Sequence, residues 1–301
     1  METQAIIEIN DLCKNYGTFA ALDHLSLRVM PGDFYAFIGP NGAGKSTTIR
    51  ILLGLIQKTS GQAQILGYPC QPSQSDLLKH IAYLPSESAF YPHLKVKEVL
   101  RLAAKLQGLQ STDETKRLCH LFELNPQLKI SELSLGNRKK VSIVCALQHQ
   151  AQVYIFDEPT SGLDPLMQER FWQELQQRNQ AGATVFVSSH VLSEVQKYCH
   201  KAAFIRQGQI ILEDTISHLV QSAAKRVILH GISQFDSIEG MSQVTCQGES
   251  ISFLYQGSVA RLLDHLRPFQ DRLLDLQIQE LSMEELFRHY YNQGKQEVSQ
   301  S

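Results

Sequence analysis

Polarity along this chain switches between short, wholly apolar runs and longer stretches with helical spacing. Phe34-Tyr35-Ala36-Phe37-Ile38 and Val153-Tyr154-Ile155-Phe156 are continuously apolar, and Thr184-Val185-Phe186-Val187 is nearly so. Runs of this kind predict strands buried on both faces of a parallel sheet. Leu25-Ser26-Leu27-Arg28-Val29 alternates instead, which predicts an antiparallel strand with one wet face. Thr48-Ile49-Arg50-Ile51-Leu52-Leu53 has the apolar spacing of a helix. From about 94 to 150 strand character gives way to helical periodicity, with Val96, Val99, Leu100, Leu102, Ala103 and Leu106 on one broad apolar face.

From about residue 216 the character changes again. Lys225–His230 and Ser250–Tyr255 read as strands, with a weaker strand signal near Val244. A helical stretch over Val259–Leu266 follows, and Leu273–Ile278 returns to alternation. Near the end, Ser282 with Glu285 three residues later reads as a capping box before a closing helix. The pattern therefore predicts an α/β unit over 1–215 with a helical segment at about 88–150. A small α+β unit over 216–295 and a polar tail over 296–301 complete the chain.

Between the first buried strand and its helix lies Gly39-Pro40-Asn41-Gly42-Ala43-Gly44-Lys45-Ser46-Thr47. Strand, glycine loop and helix in this order make a phosphate-gripping turn. The glycines let backbone N–H groups close around phosphate oxygens, and the helix N-terminus adds favourable partial charge. Lys45 then reaches the β- and γ-phosphates, and the Ser46 hydroxyl sits on Mg²⁺. The run ending at Phe156 leads into Asp157-Glu158-Pro159. A carboxylate at the end of a buried strand beside a phosphate loop suits an anchor for Mg²⁺, which assigns Asp157. Glu158, one residue on, is placed to polarise the water that attacks the γ-phosphate.

Three further segments share this order: Leu133-Ser134-Leu135-Gly136-Asn137, then Ser161-Gly162-Leu163-Asp164-Pro165, then Val187-Ser188-Ser189-His190. With them the sequence resembles the ATP-binding subunit of ABC transporters over roughly residues 4–215. The resemblance implies a P-loop NTPase (RecA-like) cassette with antiparallel β and helical subdomains. It implies that two cassettes, identical or related, pair head to tail, each ATP lying between one phosphate loop and the partner's signature. Ser134 and Gly136 would hold the γ-phosphate bound to the partner copy's phosphate-loop lysine, Asp164 would lie at the seam, and His190 would contact the γ-phosphate and align the water. Tyr16 is similar to the family's adenine-stacking aromatic residue. Asp164-Pro165 is equally a good helix start, an N-cap acid with proline at the first helical position. The part after 216 resembles the extension on cassettes of the drug- and bacitracin-resistance exporter class.

Two departures from the family pattern stand out. Leu135 and Asn137 replace a glycine and a glutamine, and a Cβ at Leu135 costs more than glycine if the position needs a close approach or positive φ. In Ile81-Ala82-Tyr83-Leu84-Pro85-Ser86-Glu87 the glutamine expected to touch Mg²⁺ is missing, and Ser86 and Glu87 both stand as replacements. In the family, a groove near Phe90-Tyr91-Pro92 receives a short helix of the membrane subunit; plain core packing of Phe90 and Tyr91 is the alternative.

Composition adds exclusions. A net charge of −2 with 19% charged residues gives no nucleic-acid stripe, and Arg138-Lys139-Lys140 reads as a mostly solvated helix face. No apolar stretch approaches the roughly eighteen residues a membrane span needs. The start lacks the layout of a signal peptide. The six cysteines have neither metal nor redox spacing and read as reduced, structural thiols. The expectation is an ATP-hydrolysing subunit on the cytoplasmic face of a membrane, working with a separate permease and no nucleic acid. Its rivals are a soluble ABC protein not coupled to transport and a low-turnover nucleotide-binding regulatory module.

Overall fold

The computed structural model describes residues 4–72, 75–87, 89–110, 112–222, 224–232, 234–281 and 283–285. The chain start, Ser282 of the expected capping box, most of the closing helix and the polar tail lie outside the described residues. The chain divides into two compact units, Met1–Asp214 and Thr215–Ser301.

The first unit opens with β1 (Ile7–Tyr16), β2 (Phe19–Val29), β3 (Phe34–Ile38), α1 (Lys45–Leu52), β4 (Ser60–Ile65), β5 (Tyr68–Pro69), α2 (Ser75–Leu78) and β6 (Ile81–Leu84). Three helices follow, α3 (Val96–Leu106), α4 (Asp113–Leu121) and α5 (Leu135–Leu147). It closes with β7 (Val153–Asp157), α6 (Pro165–Gln180), β8 (Thr184–Ser189), α7 (Leu192–Tyr198), β9 (Lys201–Arg206) and β10 (Gln209–Thr215), whose last residue opens the second unit.

Two sheets result. The larger has the order β10-β9-β3-β8-β7-β6, and β3, β6, β7, β8 and β9 pair in parallel. Every residue of β3, β7 and β8 is buried, as their unbroken apolar runs require. The smaller sheet, β2-β1-β4-β5, is antiparallel, and from Leu25 to Val29 burial alternates strictly along β2.

In α3 the buried stripe is Val96, Val99, Leu100 and Ala104, which is narrower than the apolar pattern predicts. Leu102 and Leu106 are 49% and 78% exposed. The helix packs on α5 along one stripe at i, i+3, i+4 and i+8 spacing, and Leu102 and Leu106 fall off that stripe. Tyr91 is 68% exposed, so it is not a core residue.

The second unit contains α8 (Ile216–Ser222), β11 (Lys225–His230), β12 (Met241–Gln247), β13 (Ser250–Tyr255), α9 (Val259–Leu266) and β14 (Asp275–Glu280). Its antiparallel sheet has the order β12-β13-β11-β14. One face of β11 and β13 buries Val227, Leu229, Ile251 and Phe253 beside Leu262 and Leu266 of α9. Phe253 stacks on Phe235 at 5.6 Å, and Phe269 meets Phe235 edge-on at 5.5 Å. β12 forms one edge of this sheet and is exposed from Ser242 to Gln247, Cys246 included.

Candidate nucleotide site

Strand β3 carries the chain into the phosphate loop. Gly44 caps α1 with φ of 113°, and a Cβ there would lie 2.8 Å from the Ala21 carbonyl oxygen, so only glycine fits. The Thr48 hydroxyl donates to the Gly44 carbonyl at 3.0 Å and fixes the first helical turn. Asn41 and Gly42 are exposed at the tip, Ala43 is buried, and Ser46 and Thr47 are half-buried. Lys45 is 6% exposed, and its Nζ donates to the carbonyls of Gly39 at 2.6 Å and Pro40 at 3.2 Å. It also lies 3.4 Å from Glu158 Oε1. A buried ammonium needs such oxygens, and phosphate oxygens are the same kind of partner.

The facing wall is the end of β7. Asp157 is 2% exposed and accepts a hydrogen bond from the Ser188 hydroxyl at 2.5 Å. Glu158 follows with φ of 49°, a left-handed conformation that costs a side-chain-bearing residue energy. Its backbone N–H holds it there by donating to Ser188 Oγ at 3.1 Å and to the Ser188 carbonyl at 3.2 Å. Glu158 Oε2 lies 2.6 Å from His190 Nδ1. Its Oε1 is buried and receives no hydrogen bond among the described residues, with Lys45 as a charged neighbour.

Lys45, Asp157, Glu158 and His190 thus form one constellation, in which Glu158 meets Lys45 and His190 and Ser188 joins it to Asp157. Ser188 was not singled out in the sequence, although its signal was there: a hydroxyl at the end of an otherwise apolar buried strand, in register with Asp157.

A second constellation surrounds the turn Ser161–Asp164. Ser134 caps α5 and its hydroxyl accepts from the Asn137 N–H at 3.3 Å. A Cβ on Gly136 would lie 2.8 Å from the Gly162 carbonyl oxygen, so this glycine permits the contact between signature and turn. Leu135 is 75% exposed and is not among the residues with positive φ, so the strain expected of its Cβ does not arise. Asp164 caps α6, its Oδ1 accepting from the Met167 N–H at 3.0 Å with Pro165 as the first helical residue, which is the helix-start arrangement. Tyr16 ends β1, 49% exposed, with Lys14 Nζ 4.7 Å above its ring.

The basic triplet requires a correction. Lys139 is not on a solvated face: it is 7% exposed and donates from Nζ to the carbonyls of Pro85 at 3.2 Å and Ser86 at 3.1 Å. Burial pulls its ammonium pKa down to about 8, against the opposing pull of Asp157 and Glu158. Ser86 is half-buried.

The ABC transporter family matches residues 22–161. The bacitracin transport ATP-binding protein BcrA of Bacillus licheniformis is 36% identical over 220 residues, 71% of each chain. The linearmycin resistance ATP-binding protein LnrL of Bacillus subtilis is 29% identical over 301 residues, 94% of this chain and 97% of the relative. A probable multidrug ABC transporter ATP-binding protein of Escherichia coli, YbhF, is 33% identical, and this chain spans 39% of its length. Among solved structures, an ATP-binding subunit of an ABC transporter superposes with a TM-score of 0.67 at 32% identity, over 72% of this chain and 92% of that one. A dimeric cassette in a post-hydrolysis state with ADP and Pi shares the fold at 24% identity and a TM-score of 0.64, over 70% and 98%. Among the described residues no helix is long and apolar enough to cross a membrane. The chain therefore belongs to the ATP-binding subunits of ABC transporters, whose cassette has the P-loop NTPase fold.

Proposed function

We propose that this chain hydrolyses ATP to power a membrane exporter, as one of two cassettes that close on ATP against a separate permease at the cytoplasmic face. The supporting observation is Glu158, held by Ser188 in a left-handed conformation with its carboxylate between Lys45 and His190. A carboxylate fixed beside a phosphate-binding ammonium is placed to take the proton of an attacking water, and His190 keeps it oriented.

The residues at the loop fit ATP and Mg²⁺. Gly42 and Gly44 take positive φ of 81° and 113°, which suits a loop whose backbone N–H groups close on phosphate, and the Ser46 hydroxyl and the buried Asp157 carboxylate are the oxygen donors that a hard cation takes. The bound ion would neutralise charge on the phosphates. Ser86 completes this proposed set. Across the dimer, Ser134 and Gly136 would contact the partner-bound γ-phosphate, and Asp164 would lie at the seam. Tyr16 would stack on the adenine.

Glu158→Gln is expected to cut turnover by about 10²–10⁴-fold, as for a lost general base, while a fluorescent ATP analogue still binds. Lys45→Ala, by contrast, is expected to lose that binding. Parent-like hydrolysis by Glu158→Gln would remove the assignment. Pull-down of tagged Glu158→Gln from detergent-solubilised native cells with ATP is expected to recover a multi-span membrane protein. Recovery of soluble partners alone would favour a role outside transport.

A further inference from the structure

Lys139 is a costly residue to bury. An ammonium loses much solvation in the interior, and a methionine of similar length would fill the same space with no such loss. It lies on α5, the helix capped by Ser134 and packed against α3 and α4. Its two acceptors, the Pro85 and Ser86 carbonyls, directly follow β6, a strand of the parallel sheet. Strand β6 pairs with β7 in register, Leu84 opposite Phe156, so Pro85 and Ser86 leave the sheet beside Asp157 and Glu158. Both carboxylates attract the Lys139 ammonium. One side chain therefore spans the junction between the helical segment and the sheet, and it does so at the strand ends where the phosphates would sit.

We propose that Lys139 is a positioning residue that fastens the signature helix to the loop after β6, so that Ser134 follows the groups that hold the nucleotide. The proposal rests on the ATP-site reading above and adds to it a link within one chain. Lys45 and Asp157 would hold the phosphates and Mg²⁺, and Lys139, whose Nζ donates to the Pro85 and Ser86 carbonyls, would keep α5 registered on the strand ends that carry them. The position the sequence leaves without its glutamine is thereby served from a different element: Ser86 is held through its carbonyl by a lysine 53 residues further along the chain.

Lys139→Met removes both the charge and the donors, whereas Lys139→Gln keeps an N–H donor. In the full chain, beside the parent and Lys45→Ala, Lys139→Met is expected to bind a fluorescent ATP analogue within about threefold of the parent. Its kcat should fall about tenfold with KM nearly unchanged, the pattern of a lost orienting hydrogen bond from a charged group. Amide exchange at residues 81–87 and 134–147 should speed up, and protection of α5 by the analogue should shrink. Lys139→Gln should recover most of the turnover and protection. Parent-like kcat and exchange in Lys139→Met would overturn the proposal. So would equal loss of folding and analogue binding in both variants, which would make Lys139 a packing residue. If the parent itself fails to turn over ATP, the ATPase reading falls, and the exchange comparison, which needs no turnover, still decides the role of Lys139.

Discussion

Both units bury an apolar core, but they differ in the polar side chains buried with it. In the first, Lys45, Lys139, Asp157, Glu174 and Ser188 are all nearly inaccessible, and each has an oxygen or nitrogen partner. In the second, the fully buried side chains are aliphatic and aromatic, Tyr255 donating its hydroxyl to the Ser258 carbonyl, and among the described residues the buried Arg226 Nε has no hydrogen-bond partner. An unpaired buried polar group costs a few kcal/mol, so a fold retains such groups where they are paired or used. The difference separates a unit built around chemistry from a unit held by packing, although both are sheets covered by helices.

The comparison can be broken from either side. Phe253→Ala has the largest expected effect on stability, about 3–5 kcal/mol, since it empties the centre of the second core. Chemical unfolding should register that loss while ATP-analogue affinity stays at the parent level. An affinity loss of similar size would show that the second unit is not merely packed. Ser188→Ala is the corresponding test in the first unit. It deletes the hydroxyl that donates to Asp157 and accepts from the Glu158 N–H, at an expected cost of about 1–3 kcal/mol. Turnover should fall further than thermal stability, because Glu158 loses one of the two contacts that hold its left-handed backbone.

The smallest effect is expected in the ionic network of α4 and α6. There Glu114 meets Arg117 at 2.8 Å and Arg178 at 2.7 Å, and Glu174 bridges the same two guanidinium groups. The Arg117 hydrogen bond holds the Glu114 carboxyl below its ordinary value of 4.5. A depressed carboxyl stabilises the fold above its unfolded pKa, and the stability is lost as pH falls through the folded value. Glu114→Gln should therefore lose less stability than the parent on acidification below pH 4.5. The difference should stay under about 1 kcal/mol, because the pair is partly exposed and screened. Urea midpoints measured down the acid limb would check it.

Much of this architecture was legible in the sequence because local patterns carried it. Continuous apolar runs marked β3 and β7, and strand-forming composition marked β11 and β13 to the residue. The meeting of the phosphate loop with the Asp157–Glu158 strand end was legible too, because strand ends in a parallel sheet share one edge. What escaped was set by partners distant in sequence. Burial of Lys139 depends on two carbonyls more than fifty residues earlier, and no helical periodicity announces them. Exposure of Leu102 and Leu106 depends on which stripe of α3 meets α5. The relaxed backbone at Leu135 depends on the start of a helix at that residue.

The cysteines give the chain a built-in point of attachment. Burial pushes the Cys70 and Cys145 thiols up to about 12 and raises those of Cys119 and Cys199, so few of these sulfurs ionise at neutral pH. Cys13 is half-buried on β1, its sulfur accepting from the His24 N–H at 3.3 Å, and of the six cysteines Cys246 alone is exposed, on the edge strand of the second unit. A maleimide dye added briefly to the unmodified protein would therefore collect there, remote in sequence from the glycine loop at 39–47, and give single-molecule fluorescence a handle without engineering.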